Sequence, residues 1–371
     1  MKTKTKTILI AGLCSPLSLA FASEAELNAR IDTLEEQLNA TAEMIDSLDT
    51  ATSNTHLGGY GELHYSKNKN ANDEIDFHRF VLFVSHQFSD TISFHSELEL
   101  EHSIAGNGDD KKGEIELEQA YIDIKVKDNL LVRSGLFLLP VGIINETHEP
   151  NTFYGVERNL VETNIIPATW WEGGIGVSGI ISQGLSYDVY AHSGLKTSTE
   201  NAYQPRKSRQ KVGEAPANDF AYTGRIKYTG IPGLEVAGTL QYQTDLTQSA
   251  GTSAGSAILY EGHVVYNKAG FGLRALYAGW SLSGDGPKNI GADKQNGWYL
   301  EPSYKFMGKY GVFARYSSYN NKAGSDAEAT TQTDVGINYW PHPNVVFKAD
   351  YIKQGNAGSN EAVNLGIGYQ F

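Results

Sequence analysis

The stretch AVNLGIGYQF, residues 362–371, runs on a two-residue beat. Val363, Leu365, Ile367, Tyr369 and Phe371 share one face, while Ala362, Asn364, Gly366, Gly368 and Gln370 share the other. Alternation of this kind puts the two sets on opposite sides of a β-strand. The last residues of soluble domains are usually frayed and polar. Five in-phase apolar residues ending on Phe predict instead a strand that meets lipid on one side. No backbone amide can stay unpaired in a bilayer, so such a strand must close against the first strand of a barrel.

The same beat recurs upstream. LGGYGELHYS (57–66) sets Leu57, Gly59, Gly61, Leu63 and Tyr65 against Glu62 and His64. TISFHSELELEH (91–102) sets Ile92, Phe94, Leu98 and Leu100 against His95, Glu97, Glu99 and Glu101. FAYTGRIKYTG (220–230) and YGVFARYSSY (310–319) follow suit, with Arg225 and Lys227, then Arg315, on the polar face. Alternating segments of about ten residues between turn residues mark a transmembrane β-barrel. About sixteen are counted, centred near 61, 82, 97, 120, 134, 178, 190, 225, 240, 262, 275, 301, 315, 336, 349 and 366, with fourteen or eighteen as alternatives. One segment changes phase. In GEIELEQAYIDIKVK (113–127) the apolar positions are odd at Ile115 and Leu117 but even at Ile122, Ile124 and Val126. Either a bulge resets the register, or the Glu-rich half projects beyond the lipid.

Connections sort by length. Short ones (SD, KDN, SQG, TGIPG, KAG, MGK, PHPN) follow even-numbered strands, and longer ones follow odd-numbered strands. An outer-membrane barrel is built this way, with periplasmic turns and external loops. An even strand count then leaves both chain ends in the periplasm.

The N-terminal region has another character. Lys2, Lys4 and Lys6 precede the apolar run ILIAGLCSPLSLA, and AFA before Ser23 suits cleavage, so residues 1–22 are expected to be a secretory signal. The one cysteine, Cys14, lies within it. Losing its three lysines takes the formal charge from −13 to about −16, which argues against a nucleic-acid partner. In residues 23–54, Leu27, Ile31, Leu34, Leu38, Ile45 and Leu48, with Thr41 filling the remaining slot, follow heptad spacing. A short periplasmic coiled coil is expected there, the alternative being a surface helix. Residues 55–371 form the barrel.

The longest connection, residues 139–172, is rich in Ile, Leu, Phe and Trp, a composition unlike that of a disordered segment. A barrel of sixteen strands encloses a water-filled lumen, which this loop would narrow if folded inward; the alternative is an outward loop at a subunit contact. Here GLFLLPVGIINE (135–146), FYGVERNL (153–160) and IPATWWEGGIGVSG (166–179) resemble the phosphate-selective porin O and P family. In that family a Gly-x-Phe-x-x-Pro-x-Gly strand precedes a long loop carrying a Glu-Arg pair. The resemblance implies a trimeric outer-membrane porin whose loop after the fifth strand constricts the channel, with anions such as phosphate as solutes. The terminal aromatic strand resembles the signal by which outer-membrane barrels are recognised for insertion, so the barrel assembly machinery is expected to engage Phe371.

The charges themselves leave the sign of the ion open. Alternation turns Arg79, Arg133, Arg225, Lys227, Arg274, Lys305, Arg315 and Lys348 inward as candidate pore-lining cations, suited to binding anions and phosphate. Glu62, Glu97, Glu99, Glu101, Glu235, Glu261, Glu301 and Asp350 share those faces. The loop adds Glu146, Glu149, Glu157 and Glu162 against Arg158, so a transverse field is expected. For each arginine the plain alternative is a solvated wall charge or an ion pair within the lumen. YQPRKSRQK (203–211) is placed in an external loop, where it would meet lipopolysaccharide phosphates, guide anions or simply be solvated. No catalytic or metal-ligand spacing stands out among the ten histidines, and no cofactor is expected. A structural outer-membrane tether working through its coiled coil is the alternative to a porin.

Overall fold

The structure, a computed structural model, describes residues 54–106, 113–356 and 360–371. The expected signal and almost all of the expected coiled coil lie outside the described residues. The described chain is a closed, antiparallel barrel of sixteen strands, each paired with its neighbours in sequence. The strands are β1 (Thr55–Asn68), β2 (Glu74–Ser89), β3 (Ile92–Glu101), β4 (Ile115–Lys127), β5 (Leu130–Leu138), β6 (Trp171–Ser182), β7 (Leu185–His192) and β8 (Ala221–Tyr228). They continue with β9 (Leu234–Gln243), β10 (Ala257–Lys268), β11 (Phe271–Leu282), β12 (Lys294–Phe306), β13 (Tyr310–Asn320), β14 (Thr330–His342), β15 (Val345–Gly355) and β16 (Glu361–Gln370). Every centre expected from alternation falls inside a strand. The short connections all lie at one end of the barrel and the long ones at the other.

Closure is made by β16 against β1, in register from Tyr60↔Gln370 to Asn68↔Ala362. Beyond the last ladder pair, Gly59 and Phe371 exchange both backbone hydrogen bonds, at 3.0 and 2.9 Å. The outer face carries the apolar set: Val363 and Leu365 are exposed there, as are Leu57, Leu240, Val312 and Phe347. Among the described residues no helix is long and apolar enough to cross a membrane. Near the short-turn end of β11–β15 a row of rings runs Phe271, Tyr304, Phe306, Tyr310, Tyr339, Phe347, with centroids 4.6–6.4 Å apart. Aromatic rings favour the boundary between hydrocarbon and headgroups.

The phase change in β4 is a bulge. Glu97 pairs with Gln119 and Leu98 with Leu117, leaving Glu118 as the extra residue. Ile115 and Leu117 on one side of it, and Ile124 and Val126 on the other, are all exposed on the outer face. A second bulge, not expected from the sequence, lies in β2. Glu62 pairs with Arg79 and His64 with Asp76, so Phe77 and His78 together face Leu63.

Gly59 is where closure is most crowded. A Cβ there would lie 2.2 Å from the Val81 carbonyl oxygen and 2.9 Å from the Phe371 ring. Gly59→Val is therefore expected to block closure and abolish the compact band on unheated gels. Gly224→Val, where a Cβ would meet only one atom within 4 Å, serves as the control. Equal band shifts for the two variants would contradict this account.

Candidate functional site

The loop between β5 and β6, residues 139–170, enters the lumen. Its entry explains the GLFLLPVG motif. Gly135 (φ +134°) and Gly142 (φ +77°) hold backbone conformations that a side chain would strain. A Cβ on Gly135 would lie 2.4 Å from the Ala120 carbonyl oxygen. Phe137 is buried inward, and the Pro140 carbonyl accepts from Thr239 Oγ1 at 3.1 Å. Inside the loop a single helical turn, α1 (Leu160–Asn164), is capped by Asn159, whose Oδ1 accepts from the amides of Val161 and Glu162.

The loop's apolar residues form the core of the molecule. Leu139, Val141, Val161, Ile165, Ile166 and Trp170 pack with Leu276, Trp280 and Tyr299 of the inner wall and with Leu195, Tyr203 and Leu246 of neighbouring loops. Trp280 donates to the Ile165 carbonyl at 2.9 Å. Glu162, expected to face the channel, is instead fully buried. It accepts from the amides of Ile143 and Ile144, both at 2.7 Å, and from Asn159 and Tyr299, both at 2.9 Å. It fastens the loop and offers no free charge to a solute.

Wall cations turn inward as alternation predicts, but most of their donors are engaged. Arg79 binds Glu62 at 2.5 Å and the His148 carbonyl at 2.7 Å. Arg315 binds Asp334 (3.0 Å), Glu301 (3.2 Å) and the carbonyls of Tyr154 and Glu157. Arg274 reaches the Thr152 carbonyl at 2.7 Å, and Lys348 the Gly155 carbonyl at 2.8 Å. Arg225 is tied to Asp188 and to Glu146 of the loop, and Arg133 makes a two-pronged pair with Asp123 at 2.8 and 2.9 Å. Lys305 lies 4.2 Å from the Trp340 ring centre. Lys227 lines a recess toward the short-turn end with Lys125 and Lys127. Arg79 and Arg315 are only 2% exposed. Their charge holds the loop rather than meeting solvent.

Beside the loop a cavity of ≈ 180 Å³ remains, and its charges are sorted. One side is acidic, with Glu62, Glu99, Glu101, Glu116 and Glu118 from β1, β3 and β4. The β4 bulge adds Glu118 to it, and each bulge turns two consecutive residues inward. His78 stacks on His64 while Arg79 bonds Glu62; Glu118 approaches His148 while Gln119 bonds Glu97 at 2.6 Å. The other side is basic. Arg158 donates to Thr169 Oγ1 at 2.9 Å, Arg206 to the Ala168 carbonyl at 2.8 Å, and Arg209 to the Thr169 carbonyl. Burial, then the charges of Arg209 and Arg158, pulls Arg206 down to about 10, which keeps it charged at neutral pH. Lys211 spans toward Glu114 and Glu116. Of the remaining loop acids, Glu157 is half-exposed beside His64 at 2.8 Å. One carboxylate oxygen of Glu149 is buried without a partner.

Arg206 and Arg209 of YQPRKSRQK, in the long connection between β7 and β8, reach the end of the 139–170 loop. A 3₁₀ turn, Pro205–Ser208, buries Pro205 and Ser208, and the two guanidinium groups bond the carbonyls of Ala168 and Thr169. The Pro and the neighbouring buried Tyr203 were the only sequence signals of that contact.

A sixteen-stranded barrel with a loop laid across its lumen defines a membrane channel. The sequence profile of the phosphate-selective porin O and P family matches residues 50–366, and the chain belongs to that family. An uncharacterized protein of Aquifex aeolicus (strain VF5) is 33% identical over 331 residues, 80% of this chain and 75% of that one. Among solved structures, the anion-selective porin from Comamonas acidovorans matches at TM-score 0.61 and 16% identity, over 86% of this chain and 100% of that one. The outer-membrane channel DcaP of Acinetobacter baumannii matches at 0.57 and 12%, over 85% and 97%. The trimer form of OmpT from Vibrio cholerae matches at 0.54 and 11%, over 85% and 99%. The protein is an outer-membrane porin, forming a water-filled channel for small hydrophilic solutes. Family and fold point to a channel rather than an enzyme, and the tether is not favoured.

His148 supplies the knot that tests the loop's docking. Its Nε2 lies 3.1 Å from Glu97 and 3.4 Å from Glu118. Burial opposes its charge, but Glu97 and Glu118 outweigh burial and raise it to about 10. That exceeds the unfolded value of about 6.5. Its contribution is therefore complete below about pH 6.5 and is lost as pH rises through about 10. Removing one partner of a buried pair costs about 3–5 kcal/mol. His148→Leu is expected to loosen the loop and raise single-channel conductance at pH 7, as alkaline pH should in the wild type. Unchanged conductance in both cases would assign the docking elsewhere.

Proposed function

We propose that the 139–170 loop sets the narrowest section of the channel, and that solutes pass there through a transverse field. Their anionic groups follow the strip of Arg158, Arg206 and Arg209. The observation that carries this is the state of those three side chains: among the described residues none has a carboxylate within 4.0 Å, whereas Arg79, Arg133, Arg225, Arg274 and Arg315 all do. Unpaired guanidinium groups in a confined space attract phosphate- or carboxylate-sized anions. The acidic strip opposite orients any positive end of the same solute. The likeness in fold to the anion-selective porin from Comamonas acidovorans agrees with this choice of ion.

Arg206→Ala with Arg209→Ala should move the reversal potential in a salt gradient toward cations. Glu101→Gln with Glu116→Gln should move it toward anions. Both shifts should fade in molar salt, where the Debye length falls to about 3 Å. Arg225→Ala should change selectivity less than the Arg206/Arg209 pair, since its charge is spent on Asp188 and Glu146. Equal effects from the two sets would refute the strip.

We propose further roles for the ends of the chain. Residues 1–22 direct export, residues 23–54 form a periplasmic coiled coil that helps hold a homotrimer, and the barrel assembly machinery engages Phe371. The barrel sits among outer-membrane lipid and lipopolysaccharide. Heptad spacing supports the coiled coil. Leu34→Asp with Leu38→Asp should lower the melting temperature of the oligomer while sparing the barrel; an unchanged trimer melt would remove the seam from the account.

A further inference from the structure

Near the long-loop end of β2 and β3, Asp76, His78 and His102 converge. Asp76 and His78 lie two apart on β2 and share the inner face. His102 follows β3 directly, in a left-handed conformation (φ 52°), and its amide donates to the His78 carbonyl at 3.1 Å. The backbone thus fixes where all three side chains start. His102 Nδ1 lies 2.9 Å from both Asp76 carboxylate oxygens, and His78 Nδ1 lies 3.2 Å from one of them. One ligand atom from each residue falls within 4.8 Å of the others. We infer that Asp76, His78 and His102 form a binding site for a divalent transition-metal ion such as Zn²⁺, at the channel wall above the constriction.

Two imidazoles and one carboxylate suit Zn²⁺ and its first-row neighbours, whereas Mg²⁺ and Ca²⁺ favour oxygen ligands. With metal–ligand distances of about 2.0–2.2 Å, tetrahedral donors stand roughly 3.3–3.5 Å apart. The nitrogen–carboxylate distances of 2.9 and 3.2 Å differ from that spacing by a few tenths of an ångström, and the two imidazole nitrogens lie within 4.8 Å of each other. The side chains of His78, Asp76 and His102 are 34%, 21% and 35% exposed, so a hydrated ion can reach them. Three protein donors leave a coordination position for water. The buried trio Glu97, Glu118 and His148 also converges but has no such access; it is the loop's ion-paired knot.

The site adjoins the constriction. His78 stacks on His64 at 4.7 Å, and His64 holds Glu157. His78, His64 and Glu157 themselves form a second convergent trio, sharing His78 with the first. An ion at the outer trio adds two positive charges within reach of the channel's acidic wall. Screening at physiological salt has a length of about 8 Å, so those charges act on permeating ions nearby.

The test is calorimetric titration of the untagged, full-length, detergent-solubilised protein with ZnCl₂ in excess Mg²⁺. One saturable Zn²⁺ per chain is expected, with affinity at least tenfold weaker in His102→Ala and in Asp76→Asn and unchanged in His95→Ala. Gel mobility without heating verifies that each variant is folded, and Asp76→Glu should restore part of the binding. Absence of saturable binding below millimolar Zn²⁺, or identical isotherms for wild type, His102→Ala and Asp76→Asn, overturns the inference. Titration does not depend on conduction, so its failure is separable from failure of the proposed channel selectivity.

Discussion

Thirty-two residues of irregular backbone inside a barrel must find partners for their amides and carbonyls, and the inner wall supplies them. Arg79, Arg274, Arg315 and Lys348 donate to carbonyls between His148 and Glu157, while Asp350 accepts from the Val156 amide at 2.6 Å. Apolar packing at the other end of the loop completes the seal. Without that contact the lumen would be wide and its arginines would face water. With it, the charge pattern of the wall becomes support, and what reaches the solute is a smaller set of groups.

That division explains how the cavity is polarised. Charges paired across neighbouring strands cancel locally, as in Arg133–Asp123 or Arg315–Asp334. Three arginines brought together by loops have no such partner among the described residues. Arg158 comes from the long loop and Arg206 and Arg209 from the connection after β7, and all three converge on Ala168 and Thr169. The carboxylates opposite, Glu62, Glu99, Glu101, Glu116 and Glu118, come from strands, with Glu118 added by the β4 bulge. A field across the lumen therefore arises from two different kinds of structure, one regular and one not.

The barrel was legible in the sequence because its physics is periodic: lipid on one side and water on the other force a beat of two. The β4 bulge showed as a change of phase because Ile115 and Leu117 stand on one side of it and Ile122 and Ile124 on the other. The β2 bulge was hidden, because the continuous apolar run Phe80, Val81, Leu82, Phe83 and Val84 masks the change of phase from Ile75 and Phe77. Inward direction was likewise legible for Arg79, Arg225 and Arg315, but their occupation was not. A hydrogen bond from Arg79 to His148 joins residues 69 apart, and no local pattern encodes it. Glu162 read as a charge because its burial depends on Tyr299, 137 residues away. The bonds of Arg206 and Arg209 to Ala168 and Thr169 were missed because loops carry no beat.

The bulges have a consequence for how such a channel can change. Removing one residue from a β-strand normally turns every side chain beyond it to the opposite face, which in a membrane would put charges into lipid. At Glu118 it would not. Glu116 and Gln119 already face inward on either side, so excising the bulged residue leaves Leu117 between them and a regular alternation intact. His78, between the outward Phe77 and the inward Arg79, has the same property. At these two points the lumen can gain or lose an ionisable group by a single-codon insertion or deletion, while the surface shown to the bilayer stays as it was.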